Sequence, residues 1–392
     1  MDDSVAIDDT LAAGVERGDA PGVVALAATE DGVLYAGAFG RRGLDNDHPM
    51  TLDTVFWIAS MTKAVTSVAA MQLVEQGRVG LDQPVVEHVP AIADVRALDG
   101  FDRSGAPRLR PPRRPITLRH LLTHTAGFGY NIWSADICRF EEIRNIPGII
   151  ECREVSLYTP LLADPGERWI YGISVDWVGK LVEAVSGQTL EAYFREHLFD
   201  PLGMVDSGFV LSPSARARRA SMHQRQADGS FKVTAHEVPQ EPEFFMGGGG
   251  LYSTGPDYLR FVRMLLGAGE LAGTRLLGAE TVREMSRNQI GELQVEPLRT
   301  AIPTSSNDAD FFPGMRQQWG LGFLLNTGES PTGRGPYSLA WGGLANTYFW
   351  VDPSRKVAGV IMTQVLPFAD HGVMDLYSRF ERGVYSMRLA PA

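Results

Sequence analysis

Thr54-Val-Phe-Trp-Ile-Ala-Ser60-Met-Thr-Lys63-Ala-Val-Thr-Ser-Val-Ala-Ala-Met-Gln-Leu-Val-Glu75 passes from a short apolar run straight into a helical pattern. The β-branched and aromatic residues before Ser60 favour a strand. From Ser60 to about Gln76, Val65, Val68, Ala69 and Leu73 recur on one face, and Gly77 follows just past the end. Three residues apart on a helix, Ser60 and Lys63 share a face, with Cβ atoms about 5–6 Å apart. At the helix N-terminus, unpaired N–H groups and the positive end of the dipole favour an oxyanion near Ser60. The same field, with burial against Val65 and Phe56, disfavours an ammonium at Lys63 and pulls its pKa down. A neutral amine there is a base able to activate the serine hydroxyl. Taken alone, though, the four residues read better as an N-capping serine with a snorkelling lysine.

Outward from this stretch, residues 1–17 form an amphipathic helical pattern (Val5, Ile7, Leu11, Val15), followed by two strands about a turn at Asp31-Gly32. The segment 96–115, with Pro107, Pro111, Pro112 and Pro115, reads as an irregular surface loop. Helical segments dominate from about 116 to 205, and 213–245 is polar and carries no clear pattern. Beyond the glycines 247–250, helices are expected at 256–266 and near 279–287. Strands follow at 337–341, 347–351 and 357–363, and a helix at 370–386. Strands at both ends with helices between them predict an α/β (α+β) fold. Residues 1–75 and 246–392 would build the mixed domain, 76–245 a mostly helical insertion, and the active site would lie between the two.

The chain has 392 residues, 44% of them apolar and 21% charged, and a net charge of -11. At roughly 150 residues per domain, this length suits two domains or one with an insertion. The acidic balance argues against nucleic acid as a partner, because phosphate binding needs clustered positive charge. No apolar window is long enough for a transmembrane helix, and the start Met-Asp-Asp-Ser-Val lacks the basic segment of a signal peptide. A cytoplasmic protein with no membrane association is therefore expected. The two cysteines, Cys138 and Cys152, lack metal-ligand spacing and read as reduced, incidental thiols. Of the 36 basic residues only Lys63, Lys180, Lys232 and Lys356 are lysines. Lysine can lose its proton in a protein and arginine cannot, so a lysine inside an apolar helix of this chain stands out.

No Gly-x-Ser-x-Gly elbow, P-loop, His-Glu-x-x-His or Gly-x-Gly-x-x-Gly is present. The run Gly247–Gly250 precedes a strand and so reads as close backbone packing rather than a phosphate cradle. His120 and His124 flank Leu121 and Leu122 and read as part of a packed element rather than a metal site. What lifts Ser60-Met-Thr-Lys63 above an N-cap is its company. His120-Leu-Leu-Thr-His-Thr-Ala-Gly127, Pro165-Gly-Glu-Arg-Trp-Ile-Tyr171, Pro201-Leu-Gly-Met204, Gly248-Gly-Gly-Leu-Tyr-Ser-Thr254 and Trp341-Gly-Gly343 follow in order. The series resembles the serine β-lactamase and penicillin-binding-protein superfamily, and within it the class C-like carboxylesterases called family VIII esterases. The likeness runs from about residue 20 to 385.

The resemblance implies a β-lactamase-like fold, with an antiparallel sheet flanked by helices and an inserted mostly helical domain. It implies Ser60 as the acylated nucleophile, Lys63 as its helix partner, and Tyr171 as the tyrosine that exchanges a proton with the lysine and protonates the leaving group. Trp341-Gly342-Gly343 stands where lactamases carry Lys-Thr-Gly, and the backbone N–H groups of Ser60 and Leu344 would form the oxyanion hole. Two departures matter. Ile173 replaces an asparagine that would hold an acylamino group, and Trp341 replaces the lysine that pairs with a substrate carboxylate. Both changes point to uncharged esters with a modest acyl group, with Phe128, Tyr130 and Trp133 as pocket walls. The expectation is a serine carboxylesterase acting on small-molecule esters without metal or cofactor. A lactamase, a D-alanyl peptidase, an acyltransferase and a silent binding protein on the same fold are the alternatives. The oligomeric state is left open.

Overall fold

The computed structural model describes residues 3–389. Its centre is a seven-stranded sheet assembled from the two ends of the chain. Strands β1 (Gly22–Ala28) and β2 (Val33–Gly40) form the expected hairpin, and β3 (Val55–Trp57) leads to Ser60. A short strand β4 (Tyr252–Thr254) pairs with β3 apart from the main sheet. The C-terminal part supplies β5 (Gln317–Trp319), β6 (Leu324–Asn326), β7 (Leu339–Gly343), β8 (Thr347–Asp352) and β9 (Val357–Met362). The order is β5-β6-β7-β8-β9-β1-β2, every pairing antiparallel, with Val24 opposite Met362 where the two ends of the chain meet.

The helices are α1 (Asp3–Arg17), α2 (Thr62–Glu75), α3 (Ser174–Ser186), α4 (Gly255–Leu266) and α5 (His371–Leu389), with shorter ones between them. Strands β1, β8 and β9 are buried along their whole length, which requires cover on both faces. Helices α1 and α5 pack on each other beside the hairpin, and α4 packs on β1, β8 and β9. The Thr254 side chain caps α4 and Pro256 opens its first turn, where a proline costs no hydrogen bond. Helix α2 is not one-sided as its pattern suggests: every residue from Thr62 to Leu73 is buried. It lies against α3 at the centre of the molecule, where a helix must be apolar all round.

One expectation needs correction, and two segments without a clear pattern gain elements. The segment 96–115 is not irregular: Ala97–Phe101 and Pro107–Arg110 form a hairpin. Its strands are largely exposed, so no alternation marks them, and the Asp102 carboxylate organises the turn by accepting from the Ser104 and Ala106 N–H groups. The polar segment 213–245 contains a helix at Pro213–Ala217 and strands at Met222–Arg225 and Phe231–Thr234. The first of these strands pairs in parallel with Val365–Leu366 from the C-terminal part. Strands β5 and β6, three residues each, extend the sheet without any sequence signal. Among the described residues no helix is long and apolar enough to cross a membrane.

Candidate active site

Ser60 sits in a single 3-10 turn, Ala59–Met61, between β3 and α2. Ala59 adopts φ +43°, a left-handed conformation costly for a residue with a side chain. The surroundings enforce it. Gln364 pairs with the Trp57 backbone through both ends of its amide, the Ile58 N–H donates to the Leu251 carbonyl, and Tyr258 donates to the Met61 carbonyl. The end of β7 closes the other side. A Cβ on Gly343 would come within 2.2 Å of the Ile58 carbonyl oxygen, so only glycine lets this strand pass the turn. Ser60, in the first turn, and Leu344, just past β7, are thereby brought to one small cavity that both residues line.

Lys63 is 1% exposed. Its Nζ lies 3.0 Å from Ser60 Oγ, 2.9 Å from the Tyr130 hydroxyl and 2.6 Å from the Gly248 carbonyl oxygen. Gly248 can only accept, so one amine hydrogen is committed to it. A neutral amine gives its second hydrogen to Tyr130 and turns its lone pair to the Ser60 hydroxyl. Burial lowers the Lys63 pKa, with the charge of Asp176 working against the shift. Burial raises Tyr130 well above the ordinary tyrosine range, as do Asp176 and Tyr171. Burial likewise raises Tyr171, against hydrogen bonds from Ser60 and Trp341. Both phenols therefore keep their protons where the amine loses its own.

The contacts expected of one tyrosine fall on two. Tyr130, expected as a pocket wall, is the phenol bonded to Lys63. Tyr171 instead accepts from the Trp341 indole N–H at 2.9 Å, while Lys63 Nζ lies 4.8 Å from its ring centroid. Trp341 is a second correction: it is buried against Tyr171 and Trp319 and holds the Tyr171 hydroxyl rather than lining the cavity at Ser60. Phe128 and Ile173 are also buried and do not line that cavity; Phe128 stacks on Trp177, and Ile173 stands at the N-terminus of α3. Tyr130 and Trp133 do line it. Gly342 and Gly343 serve packing, since a Cβ on Gly342 would meet the Tyr348 ring at 2.6 Å.

The cavity at Ser60 has a volume of about 50 Å³ and is walled by Ile132, Trp133, Ile149, Ile150, Met246 and Leu344 among others. No Lys or Arg is among the described residues that line it. On the far side of Tyr130 and Trp133 a polar cleft of about 370 Å³ opens, lined by Tyr171, Arg168, Glu296 and Arg299. His120 accepts the Thr117 N–H in a capping box. His124 is buried against Tyr171 and held neutral by burial and by the Lys63 charge. Among the described residues no cluster of three possible metal ligands occurs. Cys138 and Cys152 are free thiols. Asp176, buried on α3, carries no sequence signal, because nothing local distinguishes it from any helix N-terminal acid.

The family model described as Beta-lactamase matches residues 7–383. The lovastatin esterase of Penicillium rubens is 32% identical over 97% of this chain and 98% of its own. The monacolin J acid methylbutanoyltransferase of Aspergillus terreus is 33% identical over 93% of this chain and 92% of its own. Among solved structures, unliganded simvastatin synthase from Aspergillus terreus superposes with a TM-score of 0.87 at 31% identity, covering 100% of both chains. The sheet, the buried Ser60–Lys63 pair and these likenesses agree: the chain belongs to the Beta-lactamase family and is an enzyme of its serine hydrolase and acyltransferase superfamily.

Proposed function

We propose that the chain is a carboxylesterase that cleaves short-chain esters through an acyl-enzyme on Ser60. The observation that carries this reading is a buried lysine 3.0 Å from a serine hydroxyl with only uncharged groups in hydrogen-bond contact. Lys63 accepts the Ser60 proton as Oγ attacks the ester carbonyl. The N–H groups of Ser60 and Leu344 take up the oxyanion, each worth about 2.7–4 kcal/mol in the transition state. As the carbon–oxygen bond breaks, the Lys63 ammonium and the Tyr171 hydroxyl together supply the proton that the departing alkoxide takes, and Lys63 ends neutral. Water, deprotonated by the same groups, hydrolyses the acyl-enzyme and regenerates Ser60. The small apolar cavity suits a short acyl group. The absence of a cation on its walls disfavours substrates that carry a carboxylate there, each lost charged hydrogen bond being worth roughly 1.5–3 kcal/mol.

A second reading, acyl transfer to an alcohol, draws on the cleft beside Tyr171, which is large enough for an acceptor, and on transferases among the relatives. One experiment tests both. A nitrophenyl butyrate should give a burst of nitrophenol followed by turnover, with a chromogenic cephalosporin slower by several decades in kcat/KM. Cephalosporin turnover equal to that of the best ester overturns the esterase reading. If added alcohol diverts most of the acyl group from acid to new ester, the enzyme is a transferase.

A further inference from the structure

We infer that Asp176 is a positioning residue that controls the protonation of Lys63 across the glycine strap 247–248, an inference that rests on Lys63 being the base. Asp176 lies in the first turn of α3 and is fully buried. Its Oδ1 accepts the Gly248 N–H at 2.8 Å, and the Gly248 carbonyl accepts from Lys63 Nζ at 2.6 Å. The same strap is tied to α2 a second time, by Thr66 donating to the Gly247 carbonyl at 2.6 Å. Only bare backbone fits here. A Cβ on Gly248 would lie 2.5 Å from Asp176 Oδ2, and one on Gly247 would lie 3.0 Å from the Val175 carbonyl. Asp176 Oδ2 has no hydrogen-bond partner among the described residues.

A buried carboxylate with one hydrogen bond is expensive unless a positive charge faces it. Lys63 supplies that charge. The strap keeps the two groups from touching, so the amine lone pair stays aimed at Ser60 rather than being spent on an ion pair. Burial raises the Asp176 pKa, and the Lys63 charge and the Gly248 N–H hold it back. The other titratable groups facing the pair remain neutral. Burial lowers His124 and raises Tyr130 and Tyr171, and it pushes the Cys152 thiol up to about 12. One proton is therefore distributed between Lys63 and Asp176, and the pair is neutral overall whichever holds it. In the active form that proton is lost and Asp176 is ionised, so the carboxylate behind the strap stabilises the ammonium that forms when Lys63 takes the Ser60 proton.

The sign of the effect separates this role from mere packing. Without the negative charge Lys63 holds its proton less well, so it stays a competent base to lower pH. Asp176→Asn should move the acidic limb of kcat/KM down by about 1–3 pH units, the usual effect of an opposite charge nearby, and lower the plateau. With four lysines in the chain, ¹⁵N-lysine NMR can follow Lys63 itself, and its midpoint should move with the limb. If Asp176→Asn loses activity at every pH while limb and resonance stay in place, the inference is overturned and Lys63 remains the base. If the wild-type limb does not coincide with the Lys63 resonance, the base assignment itself fails. Should Asp176→Asn not fold, the wild-type resonance decides: a two-step titration marks groups that share a proton, and a single step overturns the coupling.

Discussion

Arg334 and Lys63 are both withdrawn from solvent, at 3% and 1% exposure, yet their surroundings differ in kind. Arg334 donates through Nε to Glu381 at 2.5 Å and through Nη2 to the Tyr377 hydroxyl at 2.7 Å, both partners from α5. Burial works against its charge, but Glu381 and Tyr377 outweigh it and the pKa rises further. Lys63 is offered a carbonyl and two hydroxyls, while the one carboxylate that acts on it stands behind a peptide strap. Burial wins there and the pKa falls. A buried cation is fixed when a carboxylate touches it and becomes a base when only uncharged acceptors do. The chain places an arginine in the first setting and one of its four lysines in the second.

The comparison presumes that Lys63 serves a nucleophile, so the first way to break it is Ser60→Ala. Ester turnover should fall by about six decades, the scale seen when a serine nucleophile is removed, and a fluorophosphonate probe should label Ser60 in the wild type alone. Labelling of the variant at an undiminished rate would place the nucleophile elsewhere. Next in size is Lys63→Arg, which keeps the charge but cannot lose it, since arginine stays protonated below a pKa of about 12.5. It should be nearly as inactive as Lys63→Ala, by about 10²–10⁴ in kcat/KM. In the wild type, kcat/KM should fall as pH drops through the Lys63 pKa, and that limb should lie well below the free-lysine value of about 10.4. A thermally native, active Lys63→Arg would mean that charge alone suffices.

Arg334→Ala tests the other half. It leaves Glu381 buried without its partner, which costs about 3–5 kcal/mol, read as a lower midpoint in urea unfolding. The folded fraction should keep its ester kcat/KM within a few-fold, because Arg334 touches nothing at Ser60. A large kcat/KM loss at unchanged stability would erase the contrast. The smallest effect is expected at Trp341→Phe, which removes the indole N–H held by Tyr171. At about 0.5–1.5 kcal/mol for one hydrogen bond, kcat/KM should drop about 2- to 12-fold. A loss as deep as that of Lys63→Arg would instead make Trp341 part of the proton path.

What could be read without the structure was local or lay in the order of motifs. Ser60 and Lys63 meet because a helix brings residues three apart onto one face, a relation that holds before any tertiary contact forms. The hairpin of β1 and β2, the strands after residue 337 and the terminal helices follow from periods of 2 and 3.6, which the chain carries along its length. Tyr171 was found through the family likeness, not through anything local.

The tertiary structure decided which groups face Lys63 from other elements. Phe128, Tyr130 and Trp133 belong to a stretch without regular period, so nothing in their spacing says that the first stacks on Trp177 while the second bonds to the amine. Asp176 resembles any acid in the first turn of a helix until α3 is laid against α2 with two glycines between them. The hairpin within 96–115 escaped notice because exposed strands need no alternation; it is tied in by the Leu98 N–H donating to the Leu161 carbonyl. A pKa is set by burial and by neighbours far along the chain. The sequence could therefore single out Lys63, and only packing could set its surroundings.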